Sequence, residues 1–230
     1  MHVAIIMNGN GRWAKRLGLP PTAACIEGAA ALRTTVEAAL RAGIKTLTVH
    51  AICHVDSERS GHELDADLRV LGNYLRTEAR HSTGQAVRIS VTGNCKRLGA
   101  ATSKVHDETS IEMRSRLHLR IVIDYPEHDR VVQSTRTEVL RAHAAEDFER
   151  RVKELDRTAL PAGAVDLLIR TGGGICRSDF MLWEAAYARL HYADCLWPDF
   201  NALHFQRALG REMLDELARR PNPQPDVSAS

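Results

Sequence analysis

Cysteine is scarce and scattered in this chain. Cys25, Cys53, Cys95, Cys176 and Cys195 are odd in number and never form a CxxC pair. That pattern argues against a disulfide framework and the common zinc-ligand spacings, and it implies reduced, intracellular thiols. A strong charge of one sign is also missing. The formal net charge is +2, too small for a long-range field that would gather nucleic acid, although local basic clusters can still hold a phosphorylated ligand. Long apolar runs are missing as well: His2-Val-Ala-Ile-Ile-Met7 turns polar at Asn8, too short a run for a signal peptide or a membrane span. A cytoplasmic protein with at most peripheral membrane contact is expected.

What is present is the balance of an ordinary globular chain. Apolar residues make up 44% and charged residues 26% of 230 positions, enough to bury one substantial core and too few for two comfortable domains. Residues 1–218 are expected to form a single domain. The tail from Arg219 to Ser230 holds three prolines and only Val227 as a sizeable apolar residue, so it is expected to be disordered.

Short β-branched runs alternate with segments of helical period, which predicts an α/β fold with a central, mostly parallel sheet flanked by helices. The expected strands are Val3 to Met7, Thr46 to Ile52, Val87 to Thr92, Leu117 to Ile123 and Val165 to Arg170. Leu32, Val36 and Leu40 recur every four residues, as the buried face of a helix that Gly43 ends. Further helices are expected over Glu63 to Thr83, Ala100 to Arg116, Asp129 to Ala144, Phe180 to Tyr192 and Leu203 to Ala218.

Two glycine clusters follow strands. In Asn8-Gly9-Asn10-Gly11-Arg12-Trp13 the glycines permit close backbone approach, exposed N–H groups can cradle a diphosphate, and Arg12 adds a fork of charge-assisted donors. A plain turn with a solvated arginine fits the same residues. In Arg170-Thr171-Gly172-Gly173-Gly174-Ile175-Cys176-Arg177-Ser178-Asp179, glycines, arginines and hydroxyls lie where parallel sheets bind anions. A flexible loop capped by Ser178 or Asp179 is the competing reading. Together they point to two diphosphate-sized sites.

The segments from His2 to Lys15, Arg170-Thr-Gly-Gly173 and Leu196-Trp-Pro-Asp-Phe200 resemble, in order and spacing, the signatures of undecaprenyl diphosphate synthase and its relatives, the cis-prenyltransferases. The resemblance implies a homodimer in which each protomer has a hydrophobic tunnel for an isoprenoid tail. It also implies that Gly9, Asn10, Gly11 and Arg12 cradle an allylic diphosphate with help from Arg59. Arg170 and Ser178 match groups that hold the diphosphate of isopentenyl diphosphate, and Arg177 is a one-residue shift from another such arginine.

The departures are as informative. Asn8 stands where the family places the aspartate of its magnesium chemistry, and Arg189 stands at the second acidic position. An amide weakens and a guanidinium repels a hard cation, so no protein-held metal is expected and Mg2+ enters only as an ion accompanying the diphosphate. Arg189 is expected to supply a permanent positive charge beside the diphosphate, with Asn8 and Arg12 as the other catalytic candidates. Pro21 and Cys25, and likewise Gly174 and Cys176, replace polar family residues, which puts repeated elongation in doubt. The expected activity is prenyl transfer, condensation or cyclisation of a short allylic diphosphate in specialised metabolism. A non-catalytic partner of an active cis-prenyltransferase is the main rival, and an ordinary polyprenyl diphosphate synthase is the third.

Overall fold

The computed structural model describes residues 1–52, 69–74, 77, 87–93, 115–123, 164–173, 180–181 and 184–219. Strand β1 spans His2–Ile6, helix α1 Asn10–Leu17, helix α2 Pro21–Arg41 and strand β2 Thr46–Ile52. Strands β3 (Val87–Gly93), β4 (Leu117–Ile123), β5 (Leu167–Arg170) and β6 (Arg189–Tyr192) follow, then a 3-10 turn at Trp197–Asp199 and helix α3 at Ala202–Arg219. Among the described residues six strands form one sheet in the order β3-β4-β2-β1-β5-β6, and every neighbouring pair is parallel.

Both faces of β1 are buried, as expected of a parallel sheet with cover on two sides. One face carries Val3, Ile5, Leu47, Val49, Leu119, Ile121, Leu167 and Ile169, packed with Leu32 and Val36 of α2 and with Trp197, Phe200 and Phe205. Burying a side chain such as Leu32 stabilises by roughly 2 kcal/mol. The opposite face mixes Ala4, Ile6 and Val122 with buried His2, Thr48, His50 and Arg120. His2 there meets the Thr48 hydroxyl at 2.7 Å.

Prolines at 20 and 21 open α2, where a preset φ and a missing N–H are harmless. Its end is a Schellman motif: Gly43 N donates to Leu40 O at 3.1 Å and Ile44 N to Ala39 O at 3.0 Å. The anticipated β1 to β5 are present within about two residues. Residues 69–74 and 77 are helical, as the period predicts. The other expected helices at Ala100 to Arg116 and Asp129 to Ala144, apart from positions 115–116, and the tail beyond Arg219 lie outside the described residues.

One expectation is corrected. The alanine-rich stretch from Phe180 to Tyr192 is not a helix: its described residues form turns and then β6. Leu167↔Arg189 through Arg170↔Tyr192 pair in parallel. Arg189 N donates to Asp166 O at 3.0 Å and Ala193 N to Arg170 O at 2.8 Å. Pairing with the open edge of β5 outweighs the helix propensity of isolated alanines. Helix α3 is also interrupted, at Gly210.

Candidate diphosphate site

Strand β1 lies between β2 and β5, so the connections leaving its carboxyl end and that of β5 border a crevice of the kind in which open α/β sheets bind ligands. Both glycine turns leave from this edge. Asn8 follows β1, and its carbonyl accepts from the Thr171 hydroxyl at 2.8 Å and from Trp197 N at 3.0 Å. Thr171 is fully buried.

Gly9 has φ 113°, and a Cβ there would sit 2.8 Å from Leu196 Cδ2; only glycine satisfies both constraints. The first turn of α1 begins immediately. Trp13 N donates to Gly9 O at 2.9 Å, which leaves the N–H groups of Asn10, Gly11 and Arg12 outside the helical ladder. The first turn holds no acidic residue, so the positive end of the helix dipole is uncompensated. A cradle drawn from sequence as a turn is therefore also a helix N-terminus.

Arg12 Nη1 donates to Gly172 O at 2.5 Å, joining the two turns. Gly172 N in turn donates to Cys195 O at 2.7 Å. Beside them Arg170 ends β5, and its buried Nε has no hydrogen-bond partner among the described residues. A buried guanidinium N–H without an acceptor is costly, and an anion would satisfy it.

A pocket of about 70 Å³, partly open to solvent and lined by polar and apolar groups alike, adjoins the first turn. Met7, Asn10, Cys25, Gly28, Tyr74 and Trp197 are among its walls. Trp197 Nε1 donates to Gly28 O at 2.9 Å, which satisfies the indole while its ring packs. Asn10 Oδ1 is buried with no hydrogen-bond partner among the described residues. Polar Asn10 and apolar Met7 and Trp197 thus share one pocket.

Of the expected site residues, Asn8, Gly9, Asn10, Gly11, Arg12 and Arg170 come together. Arg189 does not join them. It pairs with Leu167 at the start of β6, whereas the cradle follows the other end of the sheet. Its Nη2 donates to Ala208 O at 2.7 Å and Leu209 O at 2.6 Å. Arg59, Arg177 and Ser178 lie outside the described residues. Sequence reasoning missed the contribution of Cys195 to Asp199, although Leu196-Trp-Pro-Asp-Phe200 was visible as a signature.

Residues 6–212 match the family described as putative undecaprenyl diphosphate synthase. This chain belongs to that family, within the cis-prenyltransferases. Among its relatives, isoprenyl transferase 1 of Bradyrhizobium diazoefficiens is 38% identical over 221 residues, covering 92% of this chain and 87% of the relative. The ditrans,polycis-undecaprenyl-diphosphate synthase of Haemophilus ducreyi, described as (2E,6E)-farnesyl-diphosphate specific, is 33% identical over 214 residues, with 90% and 88% coverage. Among solved structures, lavandulyl diphosphate synthase from Lavandula x intermedia, in complex with dimethylallyl diphosphate, aligns with a TM-score of 0.78. At 24% identity, over 96% of this chain and 95% of that one, it supports the fold. Membership makes this cis-prenyltransferase a transferase of prenyl groups and an isoprenoid diphosphate its family-consistent substrate. Among the described residues, no helix is long and apolar enough to cross a membrane.

Proposed function

We propose that this cis-prenyltransferase acts on a short allylic diphosphate and delivers its carbocation to an acceptor other than isopentenyl diphosphate, or to its own double bond. The observation that carries the reading is the meeting of the two glycine turns through Arg12 and Gly172, with Asn10 of the first turn also lining a pocket. The diphosphate would rest on the first-turn N–H groups of α1, with Arg12 and Arg170 beside it. Arg59, Arg177 and Ser178 would complete the grip. The tail would enter the pocket past Asn10.

In this scheme the C1–O bond breaks heterolytically and its electron pair leaves on the diphosphate. The alkene π electrons of the acceptor, or of the same chain, form the new C–C bond. A proton is then lost to the departing diphosphate. The cradle lowers the barrier by offering preorganised donors where negative charge develops. Asn8 orients rather than ionises, because its side chain is a neutral amide.

The magnesium that the family implies is poorly served by the two positions concerned. Asn8 offers a neutral amide, with its main-chain oxygen engaged by two donors, and Arg189 offers a cation. Neither provides the anionic oxygen a hard ion prefers. Magnesium would accompany the diphosphate without a family-type protein site.

The proposal includes a homodimer. Edge strand β6 and its approach expose Tyr187, Leu190 and Tyr192 at 101%, 55% and 53%, an apolar edge that a second copy would cover. The protein is proposed to work in the cytoplasm. The test is incubation of the pure chain with dimethylallyl, geranyl and farnesyl diphosphates, with chelator or with magnesium, followed by mass spectrometry. Turnover that resists chelator is expected. Long polyprenyl products that require isopentenyl diphosphate and magnesium would overturn the reading, and a chain inert under every condition would point to a silent partner subunit.

A further inference from the structure

The segment from Cys195 to Phe200 touches both glycine turns, at Asn8 and Gly9 in the first and at Gly172 in the second. Cys195 O holds Gly172 N, and Trp197 N holds Asn8 O. Leu196 fills the space under Gly9. Trp197 and Phe200 are 1% and 2% exposed and stack with centroids 5.4 Å apart, so the segment has little freedom to shift.

From this fixed base Asp199 reaches α1. Its Oδ1 accepts from Trp13 Nε1 at 2.8 Å and its Oδ2 from Arg16 Nη2 at 2.8 Å. Trp13 and Arg16 are three residues apart and share one helix face. Helix α1 has eight residues, of which Trp13 and Ala14 alone are buried, and a helix that short has little stability of its own. Its orientation therefore depends on external contacts.

We infer that Asp199 is a positioning residue, holding α1 so that its first turn and Arg12 face the Gly172 turn. The inference rests on the diphosphate reading above. The Arg16 ion pair is largely exposed and contributes little; the bond from the Trp13 indole to a carboxylate is the stronger part. Asparagine at 199 keeps an acceptor for Trp13 and removes the ion pair, so the two contributions separate.

Steady-state kinetics with dimethylallyl diphosphate test this. Asp199→Ala and Trp13→Phe are each expected to raise KM roughly ten-fold, with a smaller fall in kcat, because modest misplacement of binding groups is costly. Asp199→Asn is expected to stay within about three-fold of the unmodified protein. The double variant Trp13→Phe with Asp199→Ala is expected to be no worse than either single one, since both remove the same bond. A residue serving stability alone would lower the melting temperature and leave KM unmoved in the folded fraction. Unchanged KM in Trp13→Phe and Asp199→Ala, or additive effects, overturns the inference, and Trp13→Phe alone decides the matter if Asp199→Ala does not fold. Calorimetry of the unmodified protein with pyrophosphate and with dimethylallyl diphosphate separates the two claims. Binding of neither sinks the diphosphate reading and this inference with it; binding of either, with no effect of Trp13→Phe or Asp199→Ala, sinks this inference alone.

Discussion

Arg12 and Gly172 hold each other in place across 160 residues of chain. The guanidinium bonds the Gly172 carbonyl, and a Cβ at that glycine would sit 2.7 Å from Arg12 Nη2 and 3.0 Å from Asn8 O. With φ 92° the position disfavours any side chain twice over, by backbone conformation and by space.

Gly172→Ala is therefore expected to destabilise the fold by about 1–3 kcal/mol and to push Arg12 off its carbonyl. Denaturant unfolding gives the first quantity. A rise of roughly ten-fold in KM for the allylic diphosphate gives the second; an unchanged KM would separate Arg12 from substrate binding.

Arg189→Glu removes two donations to the Ala208 and Leu209 carbonyls and sets a carboxylate at the negative end of a helical segment. A loss of about 1–2 kcal/mol is expected, read as a drop of roughly 2–8 °C in melting temperature. Arg189→Lys should lose less. If Arg189→Glu melts no lower than the parent, the capping role is refuted.

Asn8→Asp restores an acidic residue at the family position that follows β1. Turnover that rises on adding magnesium and falls with chelator is the expected outcome. Equal response of parent and Asn8→Asp to magnesium would count against the proposed loss of the metal site.

His118 is held low, with its pKa at about 4, first by burial and then by Arg88, Arg120 and His2. In the unfolded chain it titrates near its ordinary value of about 6.5. Between these values the unfolded state binds more protons, so stability rises with pH across the window and is lost as pH falls through it. His118→Gln, which can still bond Ser90, should flatten the acid limb of a melting-temperature profile between about pH 4 and 6.5; an unaltered limb would assign it to other groups.

Burial, with the carboxylates of Asp199 and Asp194 nearby, pushes the Cys195 thiol up. Its thiolate is therefore scarce at neutral pH, and alkylation by iodoacetamide should be slower than at Cys25. Peptide mapping by mass spectrometry follows both, and equal rates would contradict the stated electrostatics.

Much of the fold was legible because a buried parallel strand announces itself locally. Val3, Ile5, Leu117, Leu119 and Ile121 belong to short β-branched or leucine-rich runs, and each run became a strand. Strand β6 was not legible, since Ala185-Ala186-Tyr187-Ala188 favours a helix and only the open edge of β5 turns the chain into a strand. The first glycine turn was legible as glycines beside an arginine. That it begins a helix was not, because α1 is short and is held by Asp199, which is 186 residues from Trp13.

The sequence by itself determined the α/β alternation, the two glycine turns, the family signatures and the exchange of acidic residues for Asn8 and Arg189, because each is written in residues close together in the chain. Tertiary structure alone decided that Arg12 reaches Gly172, that Arg189 serves a helix end, and that Asp199 steadies α1. Those are contacts between distant segments, made adjacent only when parallel strands pair and their connecting turns leave from the same edge.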